Sequence, residues 1–307
     1  MRDKRVLIGQ RNSDKTRVII KASDSLGGRN EIKSEKLIQD TLLQASFSQE
    51  KIFFPEEIYY GEKGGYLIRI TNFIEQEKVF GAYPLDEQFF MLMREFEAQE
   101  SFYANTFEHL NIVKNVFPVT KARDYIQRFE GFKIGQHKEE ALSLLEKHID
   151  LIETRSNYLT HTDFAPSNFR VSGKKLYMID LSSMHFGNRY EGLARFVNYC
   201  LIHNPKLGQL ITDYIRDNRG DEESLCLRLM RIYKAGFLIN HYETTLPKTE
   251  DALQTLTETR LKLWQTILER LLKDEPVDQG TIDAYRLTRD TLRSKAEVMR
   301  QKEFNLI

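Results

Sequence analysis

At 307 residues the chain can bury one large hydrophobic core or two moderate ones. Its 45 Lys plus Arg balance 45 Asp plus Glu, which excludes a molecule-wide field drawn to nucleic acid or to an anionic membrane surface. No apolar run approaches membrane-spanning length, the opening "MRDKRVLIGQ" lacks the apolar stretch of a signal peptide, and Cys200 and Cys226 show no paired metal spacing. These features predict a cytoplasmic, disulfide-free protein without nucleic-acid partners or membrane insertion, and they leave the oligomeric state open.

The first segment reads as strand-rich. "KRVLIG" and "TRVIIKA" flank the polar "QRNSDK", a hairpin signal. "SLGGRN" breaks that pattern and leads into "EIKSEKLIQDTLLQ", where Ile32, Leu37, Ile38, Leu42 and Leu43 form an approximate helical stripe. "EEIYYGEKGGYLIRITNFI" predicts a second hairpin turning at "EKGG". From about residue 84 the pattern is helical. Phe89, Met93 and Phe96 share a spacing, as do Leu142, Leu145, Ile149 and Ile152. Further helical stretches occur in "EGLARFVNYCLIH", "LGQLITDYIRD" and "LCLRLMRIYKAGFLINHYE". Between Asp251 and Lys273 a stripe of Leu253, Leu256, Leu263, Trp264, Ile267, Leu268 and Leu271 reads as core. The polar, somewhat basic "TIDAYRLTRDTLRSKAEVMRQK" reads as a solvated helix, and His137, His148, His185, His203 and His241 share no ligand spacing. Gly81, Pro84 and the charges around them mark a boundary, giving domains 1–77 and 78–307.

One stretch within the helical part does not fit it: "YLTHTDFAPSNFRVSGKKLYMIDLSS", residues 158–183. It reads as strand, loop, hairpin and strand, with Asp163, Asn168 and Asp180 set beside apolar residues. Mg²⁺ takes hard oxygen ligands and shares them with substrate phosphates. The turn "VSGKK" brings Asn168 and Asp180 close, so they can supply one neutral and one charged oxygen. Asp163 lies on a loop that Pro166 keeps from becoming helical, where a carboxylate can accept a hydroxyl proton. His161 can lock that loop through backbone hydrogen bonds.

"HTDFAPSN" followed by "MID" resembles the H-x-D-x-x-x-x-N loop and the following I-D strand of the aminoglycoside phosphotransferase and choline kinase superfamily. These are small-molecule kinases of the protein-kinase-like fold. The resemblance is close over about 25 residues and, through the two-lobe order, looser over most of the chain. It implies an α+β, bilobal protein-kinase-like fold, with a small β-rich N-terminal nucleotide-binding lobe and a larger, mainly helical C-terminal lobe for catalysis and substrate. It implies transfer of the γ-phosphate of ATP or GTP, with Mg²⁺, to a hydroxyl of a small molecule resembling an aminoglycoside, choline or a sugar. Asp163 then resembles the catalytic base, His161 the structural histidine, and Asn168 and Asp180 the metal ligands.

Such a fold also needs a strand lysine for the nucleotide phosphates and a helix glutamate to hold it. Lys21, ending "RVIIK", and Glu35 meet that demand, with Glu31 one turn earlier as the alternative partner. Adenine is expected against the segment containing Asn72, Phe73 and Ile74. Acidic and aromatic walls for a cationic acceptor are expected from "GDEESL", "HYETTLPKTEDAL", Phe186 and Tyr190. Three features depart from kinase patterns. No glycine-rich phosphate loop occurs in "IGQRNSDK". Ala165 stands where protein kinases place a lysine, and no activation segment comes after "IDLSS". "GNRYEGLA" also puts Gly192 where the family's G-D-P-x-x-D-L-A has Asp, so Glu191 or another residue must steady the loop. The competing readings are a non-catalytic nucleotide-binding module and, less well supported, a protein kinase.

Overall fold

The computed structural model describes residues 4–44, 52–103, 116–295 and 298–299. Contacts divide the chain into two compact units, Met1–Pro118 with Asn168–His185, and Val119–Ser167 with Phe186–Ile307. The first unit thus takes in a helix and a hairpin beyond residues 1–77.

The first unit is built on a four-stranded antiparallel sheet. Strands β1 (Arg5–Gln10), β2 (Arg17–Ser23), β3 (Glu57–Lys63) and β4 (Tyr66–Asn72) run in the order β1-β2-β4-β3. The β3–β4 turn is Gly64–Gly65, both with positive φ (59° and 82°), the conformation that a tight right-twisted hairpin demands. Helix α1 (Leu26–Gln44) begins earlier than its apolar stripe, with both glycines of "SLGGRN" in its first turn. Gly28 allows this start, because a Cβ there would stand 2.2 Å from the Ser23 hydroxyl. The buried face of α1 is Ile32, Glu35, Ile38, Gln39 and Leu42, whereas Leu37 and Leu43, expected on the stripe, are exposed. A strict 3.6-residue period leaves those two leucines off the face that meets the sheet. Helix α2 (Leu85–Glu100) buries Met91, Leu92, Met93 and Phe96. Strands β6 (Phe169–Ser172) and β7 (Lys175–Met178) form the later hairpin, with Gly173 at φ 58° in its turn. Its outer end touches residue 53, where the Phe53 carbonyl accepts the Met178 N–H at 2.7 Å.

The second unit is helical: α3 (Ala122–Glu130), α4 (Lys138–Lys147), α5 (Ile149–Thr154), α6 (Tyr190–His203), α7 (Pro205–Arg219), α8 (Asp221–Thr245), α9 (Asp251–Lys273) and α10 (Gln279–Leu292). Strand β5 (Tyr158–His161) precedes the Asp163 loop, and the chain re-enters this unit within β8 (Met184–Gly187). Phe196, Cys200, Met230, Ile239, Trp264 and Ile267 lie buried among α6, α8 and α9, so the Trp264 stripe is core. Leu253, counted on that stripe, is exposed near the start of α9. Helix α10 is not merely solvated: Ile282 and Tyr285 are buried, and the Arg286 Nε donates to the Ile202 carbonyl at 2.6 Å.

Candidate active site

In the first unit the site starts from strand register. Lys21 on β2 and Arg69 on β4 are cross-strand partners, so their side chains leave the sheet on one face, the face that α1 covers. Glu35, 1% exposed on α1, receives both: Lys21 Nζ donates at 2.5 and 2.6 Å to its two oxygens, and Arg69 Nη1 donates at 3.0 Å to Oε2. Arg69 is itself buried and also donates to Glu57 and Gln39. Two cations on one buried carboxylate offset its desolvation and fix the lysine in one rotamer. Glu31, one turn before Glu35, pairs not with Lys21 but with Lys4, which also approaches Glu35 at 3.7 Å. Sequence reasoning identified the Lys21–Glu35 pair and missed Arg69, Lys4 and Gln39. The signal for Arg69 was a charge inside the otherwise apolar "YLIRIT".

The hairpin closes beside this pair. The Asn168 carbonyl accepts the Ile179 N–H at 3.0 Å, which sets the residues flanking the hairpin side by side. Asn168 is buried and Asp180 half-buried. Asp180 has φ 59° and ψ 50°, a left-handed conformation that costs a non-glycine residue of order 1 kcal/mol. Strain of this kind recurs at ligand sites, and here it aims the carboxylate toward α1: ligand oxygens of Glu31, Glu35 and Asp180 lie within 4.8 Å of one another. Glu31 and Glu35 are already engaged by lysine and arginine. The three carboxylates are hard oxygen donors of the kind that Mg²⁺ takes.

In the second unit, Asp163 follows β5 on a tight turn in which the His161 carbonyl accepts the Phe164 N–H at 3.1 Å. His161 is fully buried, whereas the Asp163 side chain is 46% exposed and pairs with Arg195 Nε at 3.2 Å. Gly192, at the start of α6, presses against this turn: its N–H donates to the Thr160 hydroxyl at 3.1 Å, and a Cβ would stand 2.8 Å from the His161 carbonyl oxygen. An Asp has no room there. Glu191 accepts from the Tyr125 hydroxyl at 2.6 Å and the Lys234 ammonium at 2.5 Å, and these buried groups tie α6 to α3 and α8. Burial first, then the Glu191 charge, pushes the Tyr125 hydroxyl well above its ordinary range, so it serves as a hydrogen-bond donor. Gly192→Ala should cost about 1–3 kcal/mol by overpacking. Denaturant unfolding checks this, and a loss below about 0.5 kcal/mol would mean that the close approach is absent.

The structure bears differently on two expected binding surfaces. The Asn72 and Phe73 amides, expected near an adenine edge, donate to the Glu56 and Arg17 carbonyls at 2.9 and 3.2 Å, so neither is free to read a base. The Phe73 ring is covered by the Arg17 guanidinium at 4.1 Å, and Ile74 comes next, after the end of β4. Phe186 and Tyr190 are 1% and 0% exposed, and core packing keeps them from lining an acceptor wall. Glu222 and Glu223 of "GDEESL" are engaged by Arg155 at 3.1 and 2.5 Å, and Glu223 also by Arg189.

A small antiparallel sheet whose strand lysine meets a helix glutamate, together with a larger helical part, is the protein-kinase-like fold of small-molecule kinases. Solved structures of this class align with most of the chain. A thermostable mutant of aminoglycoside phosphotransferase APH(4)-Ia, in ternary complex with ADP and hygromycin B, is 12% identical, with a TM-score of 0.60 over 89% of this chain and 95% of its own. The amicoumacin kinase hAmiN, in complex with AMP-PNP, Ca²⁺ and Ami, is 10% identical, with a TM-score of 0.57 over 90% of this chain and 88% of its own. A putative fructosamine-3-kinase from Haemophilus somnus 129PT is 12% identical, with a TM-score of 0.53 over 88% and 87%. At these identities the likeness is one of fold. No protein-family model matches the chain, and no curated protein sequence matches it.

Proposed function

We propose that the protein is a small-molecule kinase that moves the γ-phosphate of ATP or GTP to a hydroxyl of its acceptor. The observation that carries this reading is the Lys21–Glu35 pair standing beside Asp180 at the open end of the Phe169–Met178 hairpin. The nucleotide complexes among the structural neighbours support it, and residues 1–77 hold most of the proposed nucleotide-binding groups. Lys21, held charged and oriented by Glu35, binds the nucleotide phosphates. Asn168 and Asp180 hold Mg²⁺, which supplies charge neutralisation along the phosphate chain. Asp163 orients the acceptor hydroxyl and takes its proton as the new oxygen–phosphorus bond forms and the bond to the departing nucleoside diphosphate breaks. Arg195 holds the Asp163 carboxylate in place meanwhile. Adenine stacking near Phe73 and Ile74 relies on ring faces and carbonyls, since two amides of that segment are committed.

Gly192 favours a second reading, a non-catalytic nucleotide-binding module, because it removes a side chain that the family's pattern supplies. A protein kinase is the weaker alternative, with Ala165 buried where a lysine would be needed. Calorimetry with Mg-ATP and Mg-GTP, followed by coupled ADP release over a panel of hydroxyl compounds, separates these readings. Binding with turnover is expected. Binding without turnover favours the module, phosphate transfer to protein alone favours the protein kinase, and absence of nucleotide binding removes all three.

A further inference from the structure

Lys4 brings a further cation to the Lys21–Glu35 pair, and the proposed phosphotransfer gives it no role. It immediately precedes β1, whose register with β2 sets Val6 opposite Lys21. Carried back two positions, the alternation of the strand puts Lys4 on the face of Lys21, the face that α1 covers. The Lys4 side chain is 9% exposed; its ammonium donates to Glu31 and stands 3.7 Å from Glu35 Oε1, the oxygen that also accepts from Lys21 at 2.5 Å. Two lysines thus flank one carboxylate oxygen, each held by a glutamate, and the two glutamates lie one turn apart on α1. An ammonium has three N–H bonds. Lys21 places two on Glu35 and Lys4 one on Glu31, so each keeps a donor that meets no acceptor among the described residues. The β1–β2 turn, in contrast, is poorly set to cover phosphates held by Lys21. It begins after Gln10, opposite Arg17, and four residues of strand separate Arg17 from Lys21, about 13 Å of rise. Three of its amides are also spent locally: Arg11 on the Thr16 carbonyl, Lys15 on the Arg11 carbonyl and Thr16 on the Asp14 carboxylate.

We propose that Lys4 is a second phosphate-binding residue, whose ammonium, anchored by Glu31 beside Lys21, takes an oxygen of the nucleotide's phosphate chain. The inference rests on the phosphotransferase reading and deepens it, by naming what stands in for the glycine-rich loop that "IGQRNSDK" lacks. Glu31 does for Lys4 what Glu35 does for Lys21: it holds a flexible side chain in place before the nucleotide arrives. Two ammoniums this close repel each other, and a polyphosphate that bridges them turns that repulsion into attraction. Affinity should therefore depend on the length of the phosphate chain. A Lys4 that serves only to neutralise Glu31 carries no such dependence.

The test is calorimetry of Mg-ATP and AMP on the wild type and two variants. Lys4→Met should weaken Mg-ATP by roughly 10- to 100-fold, the worth of one charged hydrogen bond, and AMP by less than about threefold. That variant also leaves Glu31 without its partner, so the decisive one is Lys4→Met with Glu31→Gln, which removes both charges together. The double variant should unfold at about the same denaturant concentration as the wild type and remain as deficient in Mg-ATP binding as Lys4→Met. Wild-type Mg-ATP affinity in the double variant, or equal losses for ATP and AMP, overturns the inference. Acetylation of lysines, read by mass spectrometry on the wild type, needs no variant to fold. Mg-ATP should slow the acetylation of Lys4 as it slows that of Lys21, and a Lys4 that reacts at one rate with and without Mg-ATP overturns the inference. The two claims fail differently: a wild type that binds Mg-ATP with Lys4 indifferent sinks only the role of Lys4, whereas a wild type that binds no nucleotide sinks the phosphotransferase reading and Lys4's role with it.

Discussion

Asp163→Ala should lower kcat by roughly 100- to 10,000-fold, the usual worth of a positioned proton acceptor, while leaving Mg-ATP affinity near that of the wild type. The split comes from where the side chain stands. Asp163 is half exposed on a turn of the second unit, paired with Arg195, whereas the lysine proposed to bind the phosphates and the candidate metal ligands belong to the first unit. Its loss therefore removes the group that receives the acceptor proton and none that holds the nucleotide. Stability should change little, because an exposed ion pair contributes at most about 1 kcal/mol. Single-turnover kinetics with calorimetry of the same variant check both halves. A variant keeping more than about a tenth of the wild-type kcat would remove Asp163 from the proton-accepting role.

Asp180→Asn should produce the opposite pattern. Asparagine tolerates the left-handed backbone at φ 59° about as well as aspartate, so the substitution changes charge and leaves the turn intact. A hard cation loses its charged ligand and keeps only neutral oxygens from the hairpin. Mg-ATP affinity should fall by at least about tenfold, as for loss of a charge-assisted contact, and excess Mg²⁺ should restore part of it. ATP binding without metal should be nearly unchanged, because Lys21 and Glu35 remain paired. Titrations at several Mg²⁺ concentrations read this directly, and equal affinity for Mg-ATP in variant and wild type would take Asp180 out of the metal site. Asp180→Ala is a poorer test, because it adds backbone strain of order 1 kcal/mol to the loss of charge.

The two groups of candidate residues differed in how far they could be read from residue order. The stretch from His161 to Asp180 is a contiguous loop and hairpin, and its polar residues are held by turns that span only a few positions: Gly173 at φ 58°, the His161–Phe164 turn and the Asn168–Ile179 bond. Local geometry of that kind is written in local spacing. The Lys21–Glu35 pair was legible for another reason. A strand-end lysine and a helix glutamate one face apart are what the fold requires, and the helical period of α1 selects Glu35 for the buried face. Leu37 and Leu43 show the limit of the same argument, since periodicity names a stripe without saying how wide a strip the sheet covers.

The sequence by itself determined the strand–helix–strand order of the first segment, the hairpin with its oxygen donors, and the helical character of most of the chain beyond Pro84, because each depends on residues within a few positions of one another. Only the tertiary structure decided which side chains meet across elements. Arg69 joins Glu35 because β2 and β4 pair in a register that sets it opposite Lys21, and no spacing within either strand specifies that register. Gly192 is needed because α6 comes within van der Waals distance of the His161 carbonyl, a close approach between segments about 30 residues apart. Phe186 and Tyr190, plausible as binding walls by residue type, are taken up by the core, and burial is a property of the packed chain. Helices α6 and α10 meet across 84 residues of chain, where Arg286 donates to the Ile202 carbonyl. Periodicity records the geometry of one element; the energy that joins two elements comes from surfaces distant in the chain, and there the structure alone decides.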